Sequence, residues 1–550
     1  MKQKLLLLTA VLLCIIQSYA QNGAIYNNGA RIVSTSGSYW VVDNGNVALT
    51  SECAVNPANI ANLNIEADAM LTVMPKSFLT VNGTLTNSAT NTGLVLQSTS
   101  EGTASLIHGT ANVPATVNRY LPGASQAWHL LSSPMVAQSI NPAFTADPAT
   151  SYDFFTWYEQ GGAWVNFKNN DNAPTWNTAN GIPNFVAGRG YLVEYTGTGL
   201  TKQFVGNLNA GSVSLALTHA GPVAYTGYNL VGNPYPSAMD WKATSGWGRS
   251  SLVESGDGYV MSVWNDALST GNYGEFSSAL LSGTGTNGVS QYIPVGQGFM
   301  VQATSSGTIS MNDAVRVHAD QAFLKSADAI PNILRLKVSG NANTYSDEIL
   351  VEFGHQTSEG GAEKMNSFYE IAPSLFTVKT DGNYSIDFRG QPEAVTIPLS
   401  FKAGVDGNYT ISANQLESFA STNAITLEDL KLSKKHDLMQ NPVYNFVSSK
   451  NDDAARFLLH FGGAFGIGEN AKEMPFQVYA FGNTVYIANT SAIALKGDVY
   501  VYNTLGQTLM HQKLNGDNQM QINLNASTGY YLVKIITDGA AFTTKVFIKR

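Results

Sequence analysis

The sequence predicts an all-β, multi-module chain, and three observations carry that prediction. Short runs rich in Val, Ile, Tyr and Thr alternate with polar residues, and Asn-Gly, Asp-Gly and Gly-Gly steps punctuate them. Charged residues make up only 13% of the 550, against 51 glycines, which suits turns and exposed sheet faces. An apolar period of two puts alternate side chains on one face of a strand, so the pattern specifies sheets with one buried side. At about 100–150 residues per domain, several domains are expected.

The N-terminus reads as an export signal. Lys2 and Lys4 form a positive start, Leu5 to Ile16 an apolar stretch, and Ser18-Tyr19-Ala20 a small-x-small cleavage site. Residues 1–20 are therefore expected to be a signal peptide, and no second apolar run approaches the roughly 20 residues of a membrane helix. Loss of Lys2 and Lys4 moves the formal net charge from −9 to −11. An acidic chain without Lys/Arg clusters argues against nucleic acid as a partner. Cys53 is then the sole cysteine, expected to be a buried apolar side chain, and an intrachain disulfide is excluded.

Residues 21–125 read as a β-solenoid-like region. The apolar pairs Leu63/Ile65, Leu71/Val73 and Leu79/Val81 recur every eight residues, separated by polar or turn-forming stretches, and Leu94/Leu96 extend the series as one more rung. A plain antiparallel meander is the alternative.

Residues 126–320 carry a duplicated β-module, with copies near 126–210 and 226–312. WHLLSSP (128–134) is answered by YNLVGNP (228–234) at an offset of 100. Tyr152 and Trp157 are answered by Tyr259 and Trp264 at 107, and GRGYLVE (188–194) by GQGFMVQ (296–302) at 108. Gly-x-Gly here is expected to turn the chain into a buried strand. It lacks the third glycine and the following helix of a nucleotide fingerprint.

Residues 327–463 read as a β-sandwich. The stripes Leu334/Leu336/Val338, Ile349/Val351/Phe353, Val395/Ile397/Leu399/Phe401, Tyr409/Ile411/Ala413 and Phe457/Leu459/Phe461 are half-buried strands. AFGIGENAK (464–472) lacks alternation and reads as a linker. Residues 474–550 hold about seven short strands, expected to form a small Ig-like sandwich.

This last module resembles the type A C-terminal sorting domain of the Bacteroidetes type IX secretion system. VYVYNTLGQTL (499–509), GYYLVKI (529–535) and TTKVFIK (543–549) carry the resemblance, in that order. The positions matching the family motif are Gly506, Gln507, Gly529, Tyr531, Lys545 and Val546. The resemblance implies passage through the type IX secretion machinery to the cell exterior, with release or attachment to surface lipopolysaccharide. Other strings resemble uncharacterised surface proteins of the same bacteria, among them YNLVGNPYPSAMDW (228–241), VNGTLTN (81–87), QNPVYNF (440–446) and RFLLHF (456–461).

Catalytic strings are absent. No pair of the eight histidines has H-E-x-x-H or H-x-H spacing, and neither a G-x-S-x-G elbow nor a Walker loop occurs. No cofactor and no metal are expected. Asn169-Asn170-Asp171-Asn172 and Gly256-Asp257-Gly258 carry oxygen ligands but lack the spacing of a calcium loop, and read as solvated turns. Trp164 and Trp176 have no evident counterpart in the second copy, which makes them candidates for stacking on a glycan. The expectation is a non-enzymatic, exported surface protein serving adhesion or envelope architecture. An ancillary carbohydrate-binding protein is the alternative, and a divergent glycoside hydrolase a third reading.

Overall fold

The computed structural model describes residues 22–27, 39–42, 45–51, 57–123, 126–145, 152–168, 173–265, 271–319, 332–355, 360–390, 395–419, 424–462, 476–489, 496–503, 506–516, 519–537 and 540–548. The export signal, Cys53, the loop 169–172 and the linker 464–472 lie outside them. The chain divides into two units, Met1–Gly463 and Ala464–Arg550. It is all-β, with two short α-helices among the described residues, Thr90–Gly93 and Trp176–Asn180.

The first unit begins as a parallel solenoid. Gly45–Ser51, Ala69–Val73 and Leu94–Leu96 stack in register in one sheet, Tyr39–Val42, Asn62–Ile65 and Leu85–Asn87 in a second, and Ala58–Ile60, Phe78–Val81 and Ser105–His108 in a third. The eight-residue step seen in the sequence is therefore one side of a three-sided coil. Leu63, Leu71 and Leu79 sit on three different faces, and the rung is the longer step that pairs Val47 with Leu71 and Leu71 with Leu94. Stacking buries Leu63, Leu71, Leu79 and Leu94 at 1% exposure or less.

Two four-stranded antiparallel sheets follow. The first runs in the order His129–Ser132, Gly190–Tyr195, Tyr152–Tyr158, Ala163–Asn166. The second runs Tyr228–Gly232, Gly298–Gln302, Val260–Asn265, Asn272–Ser277. In chain order both are 1-4-2-3. The strand Leu200–Asn207 leaves the first sheet and pairs with Pro114–Leu121, so that Phe154, Trp176, Phe185, Tyr191 and Phe204 share one core with the solenoid.

Residues 332–462 form one hydrogen-bonded sheet of eleven strands rather than two separated layers. Its end strands, Lys434–Asp437 and Val443–Ser448, are consecutive in the chain. The sheet curls so that Leu334, Ile349, Ile397, Ile411, Leu427 and Leu459 meet in a single core.

The second unit has a three-stranded sheet (Phe476–Phe481, Thr484–Asn489, Gln519–Asn523) and a four-stranded one in the order Thr508–Asn515, Lys496–Tyr502, Gly529–Thr537, Ala540–Ile548. Val485, Ile487 and Ile522 from one meet Val499, Val501, Val533 and Ile535 from the other.

Candidate functional site

The two four-stranded sheets exchange matched main-chain contacts. Ser132 N donates to Gly296 O at 2.9 Å, and Gly232 N donates to Gly188 O at 2.8 Å. Leu131 bridges to Gln297, and Arg189 bridges to Val231. Each contact maps onto the other when the paired strings are interchanged, which is the signature of a local two-fold relation.

The Gly-x-Gly strings take their meaning from this contact. Gly188 and Gly296 have φ of 78° and 70°, in the region that favours glycine. A Cβ on Gly190 would lie 2.6 Å from Val231 O, and one on Gly298 3.1 Å from Leu131 O. The second glycine is thus kept bare by the neighbouring sheet, a reason the sequence did not disclose.

Leu130, Leu192, Leu230, Trp264, Tyr273 and Met300 form the seam between the sheets. Phe368, from the segment after Gly361–Glu363, reaches it with its ring centroid 4.4 Å from Trp264, 5.4 Å from Tyr273 and 5.9 Å from Trp164. Every residue of Asn272–Ser277 is buried, whereas Ala163 and Trp164 in the corresponding strand are half-buried.

These positions correct the glycan candidates. Trp176 is fully buried, against Phe154, Phe167 and Tyr191, and its indole N–H donates to Ile182 O at 3.0 Å. It offers no face to a ligand, because packing of the helix Trp176–Asn180 places it in the core. Trp164 does have a counterpart: it stands opposite Trp157 as Tyr273 stands opposite Trp264. Substitution of Trp by Tyr hid the match. The half-buried aromatic surface of the first sheet continues through Trp128 and Phe155, centroids 5.8 Å apart, beside Asp153 and Glu194, which stand opposite each other across the strands. Asn166 Nδ2 donates to Asp153 at 2.7 Å, and Lys168 Nζ lies 3.3 Å from it. Burial, then repulsion from Asp153, raises the Glu194 carboxyl above its ordinary value.

Buried charge in the first unit joins one module to the next. Glu352 accepts from Leu281 N and Ser282 N at 2.9 and 3.1 Å and pairs with His355. Asp347 holds Lys364 Nζ at 2.6 Å and Leu375 N at 2.7 Å. Glu275, wholly buried and raised by that burial, accepts from Thr286 at 2.7 Å and Met365 N at 3.3 Å. At the solenoid, the buried Arg316 guanidinium donates to Leu106 O at 2.9 Å and to His108 O at 2.6 Å. Burial, with Arg316 adding to it, pushes the His108 and His318 imidazoles down to about 3, so both are neutral at pH 7. Among the described residues, no group of three or more His, Cys, Asp or Glu side chains is placed to hold a metal ion.

The C-terminal module separates its motif residues by face. Tyr531 and Val546 are 6% and 4% exposed and build its core, and Tyr531 Oη donates to Ser527 O at 2.6 Å. Gly506 has φ of 79° in a turn closed by Gln507 N donating to Asn503 Oδ1 at 2.9 Å. Lys545 is exposed, its ammonium 3.9 Å from the ring centroid of Tyr530. Around Gly529 a Cβ would meet nothing within 4 Å.

Comparison with known proteins fixes the family. Residues 30–461 match the model of a domain of unknown function, DUF8693. The chain belongs to this family. Behind the DUF8693 region, residues 482–549 match the secretion system C-terminal sorting domain, so this DUF8693 protein is type IX secretion cargo, delivered to the outer cell surface. It is 23% identical over 482 residues to the minor fimbrium subunit Mfa5 of Porphyromonas gingivalis, covering 81% of this chain and 38% of that protein. Solved structures with some likeness include a biofilm-associated protein BSP domain (8% identity, TM-score 0.16, covering 79% of this chain and 92% of that one). A Ca2+-stabilised adhesin with which an Antarctic bacterium binds ice is another (10% identity, TM-score 0.12, covering 79% and 93%). At these scores the structural likenesses carry no argument.

Proposed function

We propose that this DUF8693 protein is a non-enzymatic surface component whose first unit serves adhesion or envelope architecture once the type IX machinery has exported it. The sorting-domain match is the observation that carries the reading. Its likeness to a fimbrium subunit agrees with it. So does the use of buried carboxylates: Glu275, Asp347 and Glu352 hold main-chain amides or basic partners at module junctions, where they tie neighbouring segments together. We read residues 126–210 and 226–312 as two copies of one module, supported by their common strand order and interchanged contacts. The exported chain is then released or held by surface lipopolysaccharide. Deleting the gene from a strain with a working type IX system should lower adherence or alter the envelope while leaving secreted glycosidase activity unchanged. Loss of that activity on deletion contradicts the proposal.

A second reading, glycan binding, is favoured by one observation. The first sheet keeps Trp128, Phe155 and Trp164 half-buried beside Asp153, Glu194 and Asn166, while the second sheet's matching strand is covered. Aromatic faces flanked by carboxyl and amide groups suit a sugar ring.

A further inference from the structure

The four-stranded sheet of the second unit buries one face, and its outward face gathers aromatic and aliphatic side chains among charged ones. Along Gly529–Thr537 the inward residues Tyr531, Val533 and Ile535 are 6%, 0% and 1% exposed. Of the outward residues alternating with them, Lys534 is charged, but Tyr530, Leu532 and Ile536 are aromatic or aliphatic where a half-buried strand ordinarily carries polar groups. Tyr530 is 52% exposed, Leu532 39% and Ile536 37%, and Phe547 on the neighbouring strand is 38% exposed. Register gathers these side chains into one patch. Tyr530 stands opposite Phe547, and Leu532 stands between Tyr502 and Lys545. Tyr500 stands beside Tyr502 with ring centroids 6.1 Å apart. Contiguous exposed apolar surface of this kind marks an interaction site.

Charge on the same face has a sign. Lys534 lies opposite Tyr500, and Lys513 lies opposite Asp498, whose carboxylate takes His511 Nε2 at 2.7 Å. With Lys545 and Lys496, which shares a face with Asp498 two residues on, four lysines and one aspartate lie on this face among the described residues. The motif residues Tyr531 and Val546 point the other way and hold the sandwich together, so they are not what a partner touches.

We propose that this outward face, centred on Tyr530, Leu532 and Phe547, with Lys513 and Lys545 on its two edge strands and Lys534 between them, is the surface by which the sorting domain docks on a protein of the type IX machinery bearing an apolar patch flanked by acidic groups. The proposal rests on the reading of the chain as type IX cargo. Clustered aromatic and aliphatic side chains with charged groups beside them suit a protein interface, which combines an apolar core with polar surroundings.

The test uses the full chain in its type IX-competent host, with two variants, Leu532→Ser combined with Phe547→Ser, and Lys513→Glu combined with Lys545→Glu. Truncating interface anchors weakens association by about thirtyfold or more, so surface display of the first variant should fall by at least about tenfold, with the chain held in the periplasm. The second variant should show a smaller loss that is relieved at high salt in a pull-down by solubilised machinery. Limited proteolysis of the retained chain monitors folding: a protease-resistant module on a retained chain supports docking. Display of both variants at the wild-type level overturns the proposal, as does retention accompanied by a digested module. Normal export followed by failure to stay on the cell also overturns it, and points to lipopolysaccharide. Deleting residues 474–550 is the control for the cargo reading: if that deletion leaves display unchanged, the cargo reading itself fails, whatever the face variants do.

Discussion

The main-chain amide of Gly232 donates to the carbonyl of Gly188 at 2.8 Å, and the same bond recurs with roles exchanged between Ser132 and Gly296 at 2.9 Å. One sheet closes on the other as two subunits of a symmetric dimer do, within a single chain. Close approach of two backbones is possible only where side chains are missing, which is why Gly190 and Gly298 sit at the contact.

Gly190→Val should therefore destabilise the first unit. The added side chain starts 2.6 Å from Val231 O and 2.8 Å from Leu230 Cγ, and the strand cannot retreat without breaking the bridge at Arg189. A loss of about 1–3 kcal/mol is expected, read as a lowered urea midpoint. An unchanged midpoint contradicts the close approach.

Arg456→Ala should cost more. Its guanidinium pairs with Asp429 through two bonds of 3.0 and 2.7 Å, with side-chain exposures of 2% and 0%, and lies between Phe446 and Phe457 at 4.6 and 5.2 Å. Removing one partner leaves the Asp429 carboxylate buried with only its lesser contacts, such as Tyr444, at a cost of about 3–5 kcal/mol. Arg456→Lys should recover only part, because an ammonium cannot make the paired bonds.

The solenoid junction should be acid-sensitive. His108 and His318 titrate near 3 in the folded chain and near 6.5 when unfolded, so the unfolded chain binds more protons between those values. Their contribution is complete above about pH 6.5 and declines as pH falls toward 3, by up to roughly 1.4 kcal/mol per pH unit for each imidazole. Arg316 faces both, and Asp313 faces His108 with the opposite effect. In melting curves taken from pH 7 to pH 4, His108→Leu should lose less stability than the wild type. Equal losses contradict the burial of a neutral imidazole.

Three tryptophans should part company. Trp176→Ala empties a core site and should cost about 3–5 kcal/mol. Trp128→Ala and Trp164→Ala should cost less, and they test the carbohydrate reading on a glycan array: reduced binding with an intact fold supports it, and unchanged binding removes these residues from it.

Much of this was legible in the sequence, for physical reasons. Alternation in stretches such as Leu334/Leu336/Val338 fixes which side chains go inward, so strands and core could be read directly. The paired strings around Leu130 and Leu230 were visible because packing against each other holds both to similar residues. Three things were hidden. The eight-residue step looks the same whether it climbs a coil or goes around it, and only the pairing of Leu71 with Leu94 distinguishes them. Trp176 lies on a five-residue helix too short to show a period. Phe368 reaches the seam from about 100 residues away in the chain, in a segment with no alternation to announce it. In the last module, the resemblance named Tyr531 and Val546, which hold the fold together, and the exposed Lys545, while the outward Tyr530, Leu532 and Phe547 carry no signal because each alone is an ordinary strand residue.

Cell fractionation of a strain expressing the chain without residues 474–550 tests the central claim most directly. The account predicts a folded first unit trapped in the periplasm, with none on the outer surface, while the full chain is displayed or released. Truncated protein displayed on the surface as abundantly as the full chain would contradict it.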